Sequence, residues 1–142
     1  MARIKIDLPE RFPFSTSFPV RITDLNYGSH VGNDTVLSFL HEARVRFLQS
    51  LGYNELNLEG AGLIMSDAAL EFKNEIRYGD ELVASVAAGD FSRVGFDFYY
   101  KLEKKGDEPQ LLALAKTGMV CFDYERKKVV ALPEAAKKKL GG

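Results

Sequence analysis

One segment of this chain reads as a strong helix, and the segments on both sides of it read as strand. Val36, Leu37, Leu40, Ala43, Phe47, Leu48 and Leu51 recur at spacings of three and four, which puts them on one stripe of a helix. Asn33 suits the N-cap, Asp34 just inside suits the helix dipole, and Gly52 is a natural C′ residue. A helix of about 18 residues spans roughly 27 Å at 1.5 Å per residue. Before it, Phe12, Phe14, Phe18, Val20 and Ile22 alternate over residues 12–24, the period of an extended segment with one buried face. Pro13 and Pro19 confine the early part of that segment to an edge or to irregular pairing.

After Gly52 the pattern changes. Residues 53–62 read as a loop or short helical turn closed by Gly60 and Gly62, and four strand-like runs follow. These are 68–73, then 82–88 after the turn Tyr78-Gly79-Asp80, then 96–103 and 111–122. The last is apolar on nearly both faces, as a central strand is. Residues 104–109 form a hairpin loop, and 133–140 a short terminal helix with Pro133 near its first turn. One long helix followed by antiparallel strands implies a single α+β domain over residues 1–142, with the sheet curled around the helix.

Composition narrows the function. A net charge of −1 over 142 residues argues against a nucleic-acid binder, which carries a basic surplus. The basic stretches 126–128 and 137–139 read as a solvated turn and a helix C-terminus. Cys121 is the only cysteine and lies in an apolar run, so it reads as a small buried hydrophobe, with no intrachain disulfide and no Cys/His metal cluster. There is no signal or transit pattern and no run approaching the ~20 apolar residues of a membrane span, so the expected location is cytoplasmic.

The chemistry concentrates in Arg21-Ile22-Thr23-Asp24-Leu25-Asn26-Tyr27-Gly28-Ser29-His30-Val31-Gly32-Asn33-Asp34, which leads into the helix. It sets carboxylate, amide and imidazole beside a helix N-terminus, whose free N–H groups bind developing negative charge, as acyl transfer requires. Asn26 can orient a water or bond a carbonyl but cannot act as base or nucleophile, and it equally suits the capping of a turn. Asp24, two residues earlier, shares its face if the backbone stays extended; otherwise it holds Arg21 or caps the turn. His30 serves as acid, base or substrate contact, or fixes the loop. Glu42 is a carboxylate within the helix, with Arg46 at i+4 as a ready ion-pair partner. Gly32, Asn33 and Asp34 are helix-start residues, and that role is compatible with an oxyanion site. Arg93 and Lys116 are weaker candidates for a phosphate contact.

These patterns resemble the hotdog-fold acyl-CoA thioesterases, in the 4-hydroxybenzoyl-CoA thioesterase-like branch. Residues 21–33 are similar to that branch's Arg, two residues, Asp-x-Asp, three residues, His-Val-x-Asn. Glu42-Ala43-Arg44 with Leu51-Gly52, and Tyr78-Gly79-Asp80-Glu81-Leu82, match its helix and its turn into the next strand. The resemblance implies a homodimer with sheets joined edge to edge, often paired into tetramers. It also implies active sites at the dimer interface and no cofactor other than the coenzyme A of the substrate. By position, the family's two aspartates fall on Asp24 and Asn26, its His on His30, and the thioester-binding N–H at or near Asn33. Some hotdog thioesterases take their carboxylate from the long helix, where Glu42 lies. The departure at Asn26 keeps two rivals in view. One is a hotdog enoyl-CoA hydratase or dehydratase, whose motif Asp24-x-Asn26…His30 approximates. The other is a non-catalytic acyl-CoA or acyl-carrier binder.

Overall fold

Helix α1 (Asn33–Ser50) lies across the inner face of an antiparallel sheet, in a computed structural model that describes residues 3–142. The strands are β1 (Phe14–Pro19), β2 (Gly62–Phe72), β3 (Glu81–Gly89), β4 (Gly95–Lys104), β5 (Gln110–Asp123) and a short β6 (Lys128–Val129). Their order is β1-β3-β4-β5-β2, with β6 pairing on β5, and α2 (Glu134–Gly141) closes the chain. β1 and β2 are therefore the sheet's edges. No described helix is long and apolar enough to cross a membrane.

The apolar stripe of α1 sets the layer. Val36, Phe39, Leu40, Ala43, Phe47 and Leu48 are buried against Leu82, Val86, Phe98, Tyr100, Ala115 and Cys121 of the strands. Phe47 stacks on Phe14 at 5.4 Å and meets Phe98 edge-on at 6.0 Å, tying α1 to the first and the central strands. Ala43, Ala84, Ala113 and Ala115 are all buried, and residues without bulk let helix and sheet approach closely.

The structure departs from the sequence reading in four places. Gly32, with φ −74° and ψ 158°, is the N-cap, and Asn33 is the first helical residue, with no side-chain cap bond. Leu37 lies off the stripe at 40% exposure while Phe39 and Arg44 lie on it, because the buried arc is centred about one residue from where the leucines suggest. β2 starts at Gly62, not at 68; a bulge between Met65 and Asp67 resets the alternation and hides the strand from a period-two search. The first extended segment ends at Pro19, although Val20 still donates its N–H to the Asp80 carbonyl at 2.9 Å. Ile22–Asp24 then curls into a 3-10 turn that leaves Ile22 exposed. Gly52, at φ +84°, follows the helix in the left-handed conformation its position implied.

Gly95 marks the tightest approach to a neighbouring strand's backbone among the described glycines. A Cβ there would stand 2.1 Å from the Met119 carbonyl oxygen of β5, with no flexible side chain to give way. Gly95→Ala is expected to lower unfolding free energy by about 1–3 kcal/mol, measured as a reduced urea midpoint with the slope unchanged.

Candidate active site

The segment before α1 is a tight reversal. Asn26 donates its N–H to the His30 carbonyl at 2.9 Å, and Ser29 takes a left-handed φ of 63° to close the turn. Asn26 Oδ1 accepts the Gly28 N–H at 2.9 Å, which is the turn-capping role. The returning arm then pairs with the segment after β2. His30 stands opposite Arg77, and the Val31 N–H donates to the Ile76 carbonyl at 2.8 Å.

This three-armed patch has two faces. Val31 and Ile76 are buried, with Leu25 packed against the same core. Alternation sends Asn26, His30, Gly32 and Arg77 to the other face, and the register continued by one step places Glu75 across from Gly32. A cavity of about 410 Å³ opens there, lined among others by Asn26, His30, Gly32, Asn33, Phe72 and Glu75. His30 folds back over Gly28, where a Cβ would stand 2.7 Å from its Nε2.

The cavity is rich in donors. Thr35 and Val36 both return their N–H groups to the Gly32 carbonyl, at 3.1 and 3.3 Å. The N–H groups of Gly32, Asn33 and Asp34 have no acceptor among the described residues, as at any uncapped helix start. Because Asn26 Oδ1 is committed to Gly28, its Nδ2 faces this end, 3.5 Å from where a Gly32 Cβ would stand. Asp34 Oδ1 is 2.8 Å from the same point, so its carboxylate leans over the N-cap. A Cβ at 32 would press on the Asp34 carboxylate and touch the Asn26 amide, and glycine leaves the approach open.

Asp24 and Glu42 lie elsewhere in this chain. The 3-10 turn breaks the extended path to Asn26, and Asp24 is buried with Oδ2 accepting the Arg21 N–H at 2.8 Å. It shares a separate cleft of about 330 Å³ with Glu42, Phe18 and Arg46. Glu42 accepts from Arg46 Nε at 2.8 Å, and the same guanidinium reaches Thr16 Oγ1 at 2.7 Å, tying α1 to β1. Lys116 faces Asp97 at 3.7 Å on the sheet's outer face. Glu75, which the sequence reading passed over, is the carboxylate that lines the Asn26 cavity. Its pair with Arg77, at 3.1 Å, is exposed on both sides and so holds it weakly. Nothing in its neighbourhood in the sequence flags it, since only the register against residues 30–32 brings it there. Among the described residues no group of three His, Cys, Asp or Glu could hold a metal ion.

A second polar cluster lies within the α1 interface. Arg44 donates from Nε to Glu55 at 3.2 Å and from Nη1 to the Tyr100 hydroxyl at 3.1 Å. Tyr100 meets Thr117 Oγ1 at 2.7 Å, and His41 Nε2 lies 2.7 Å from the other Glu55 oxygen. Burial pushes the Tyr100 hydroxyl above its ordinary value against the pull of Arg44, which keeps it protonated and a donor.

The profile of the thioesterase-like superfamily matches residues 20–140. No match was found among curated proteins. Among solved structures, a 1,4-dihydroxy-2-naphthoyl-CoA thioesterase from Synechocystis is similar, with a TM-score of 0.80 and 24% identity over 89% of this chain and 94% of that one. A variant 4-hydroxybenzoyl-CoA thioesterase in complex with 4-hydroxybenzoyl-CoA gives 0.80 and 17%, over 90% and 98% of the two chains. A thioesterase from Thermus thermophilus bound to coenzyme A and zinc gives 0.79 and 23%, over 93% and 100%.

Cys121 bears on any assay that counts released thiol. Burial pushes its thiol up to about 11. In the unfolded chain the thiol ionises near its ordinary value of 9.0. Its contribution to stability is therefore full below that value and is lost as pH rises through the folded one. At pH 8 an aromatic disulfide reagent is expected to label Cys121 at least about a hundredfold more slowly in the folded protein than in urea, read by absorbance.

Proposed function

The chain belongs to the thioesterase-like superfamily and has the hotdog fold; from that premise we propose that it hydrolyses the thioester of an acyl-CoA or acyl-carrier substrate in the cavity before α1. The observation that carries this reading is the donor set at Gly32, Asn33 and Asp34 with Asn26 Nδ2 beside it. A thioester carbonyl oxygen held there gains negative charge as water attacks, and loss of one such donor typically costs about 3–4 kcal/mol of barrier.

Asn26 has no proton to give or take near neutral pH, so in this site it is a donor only. Glu75, across the bridge from Gly32, supplies the carboxylate that Asn26 lacks and acts as general base on the attacking water. His30, in the same row as Asn26 and Arg77, positions water or substrate. Asp34 stabilises the helix start through its dipole. Asp24 and Glu42 remain the alternative bases. The neighbours that act on or bind aryl-CoA thioesters support a CoA substrate. The unpaired edge of β2 and its half-exposed Met65 and Phe72 support a homodimer joined along that edge, with the site at its interface.

Non-catalytic acyl-CoA binding is the second reading, and Asn26 is the observation that favours it. Thiol release from short, long, branched and aromatic acyl-CoAs decides between the two. Glu75→Gln is expected to lower kcat by about 10²-fold or more, and Asn26→Ala by about 10-fold to 10²-fold. Asp24→Asn and Glu42→Gln are expected to leave turnover within about threefold, since neither lines the cavity. Collapse in one of those two, with Glu75→Gln active, would move the base to that residue. Saturable binding without release from any substrate would favour the binder.

A further inference from the structure

Helix α1 and the inner face of β2 do not close on each other. Met65, Ala68, Leu70 and Phe72 stand opposite Met119, Thr117, Ala115 and Ala113, so the bulge aligns all four on the inner face. Met65 and Phe72 nevertheless remain 47% and 49% exposed. They mark the two ends of an apolar track. Phe72 is a wall of the cavity before α1, while Met65 borders a second cavity of about 210 Å³ with Leu37, Leu40, His41, Arg44 and Thr117.

The far cavity is walled by apolar Leu37, Leu40 and Met65 and by polar Ser38, His41, Arg44 and Thr117, and among these Arg44 is the side chain that can only donate. The Arg44 side chain is 8% exposed, with Nε and Nη1 committed to Glu55 and Tyr100. Its Nη2 has no protein partner among the described residues. Every buried side-chain nitrogen and oxygen among them is satisfied, so Nη2 keeps some accessible surface, and Arg44 lines this cavity. The Tyr100 oxygen accepts from Arg44, and its own proton needs an acceptor, which is Thr117 Oγ1 at 2.7 Å. That arrangement frees the Thr117 hydroxyl proton for the cavity it lines.

A hydrocarbon end seated here would strip water from an arginine N–H and a hydroxyl without replacing their bonds. An oxygen acid would satisfy both. We propose that this corner is a subsite for the far end of the acyl group and selects chains that end in a carboxylate. The proposal rests on the thioesterase reading and deepens it by naming the substrate class. From Asn33 to Arg44 the helix rises roughly 16 Å, and the Arg44 side chain leans back toward the N-terminus. A chain on the order of 10 Å, about eight carbons, therefore joins the two cavities.

The test compares suberoyl-CoA with octanoyl-CoA, which differ only in the terminal carboxylate, and separately the free acids suberate and octanoate by calorimetry. The wild-type protein is expected to favour suberoyl-CoA at least about tenfold in kcat/KM and to bind suberate the more tightly. Thr117→Val, which keeps shape, and Arg44→Met are each expected to bring both preferences to near unity. Equal use of the two thioesters by the wild type, or a preference that Thr117→Val leaves unchanged, would overturn the subsite and leave the hydrolase reading standing. Suberate binding that Thr117→Val removes, in a protein that releases no thiol from any acyl-CoA, would support the subsite and overturn the hydrolase reading.

Discussion

Burial of one stripe of α1 beneath a sheet wider than the helix is the constraint on which the other features depend. The stripe packs over β1, β3 and β4, where Phe14 and Phe98 hold Phe47 between them and lock its rotation. The coverage is uneven. Toward β2 the inner face continues past the helix, leaving the apolar side chains of Met65 and Phe72 half-exposed. The position of the helix thus determines both what is core and what is left uncovered.

The same packing aims the start of the helix. Val31 and Ile76 bury their side chains under the end of the sheet, and their backbones pair, so the residues on either side of each must face the opposite way. That alternation gathers Asn26, His30, Gly32 and Glu75 around the unpaired N–H groups of the first turn. Donor groups held rigidly in advance of a reaction cost no reorganisation when charge develops, which gives such a helix start its chemical use. A neutral amide at 26 strengthens the donor character of the cavity and removes its acid. The exposed carboxylate across the bridge keeps a negative group within the same walls.

Arg44 gives the helix interface a second function. A buried guanidinium is costly unless paired, and here Glu55 and Tyr100 share it, with Thr117 bonded to Tyr100 behind it. The network also holds the loop after α1, since Glu55 is gripped by Arg44 and His41 while its carbonyl accepts the Leu63 N–H at 2.7 Å. The beginning of β2 is therefore tied to the middle of the helix. Both walls of the uncovered track belong to one connected unit.

Much of this architecture was legible in the sequence because it is written in local periods. The three-and-four spacing of Leu40, Ala43, Phe47 and Leu48 and the alternation over 82–88 and 96–103 specify helix and strand without reference to distant residues. The turn chemistry at Gly52 was local as well. Where local rules misled, a single-residue offset was the cause: the bulge in β2, the cap at Gly32 instead of Asn33, and the 3-10 turn that separates Asp24 from Asn26. The sequence by itself determined the main elements and marked the polar segment before α1 as the candidate site. Only the tertiary structure decided which carboxylate faces that segment and that Arg44 opens on a cavity. Pairing between residues 30–32 and 75–77, and between α1 and β4, joins positions more than forty apart in the chain, and no local period records which distant residues will meet.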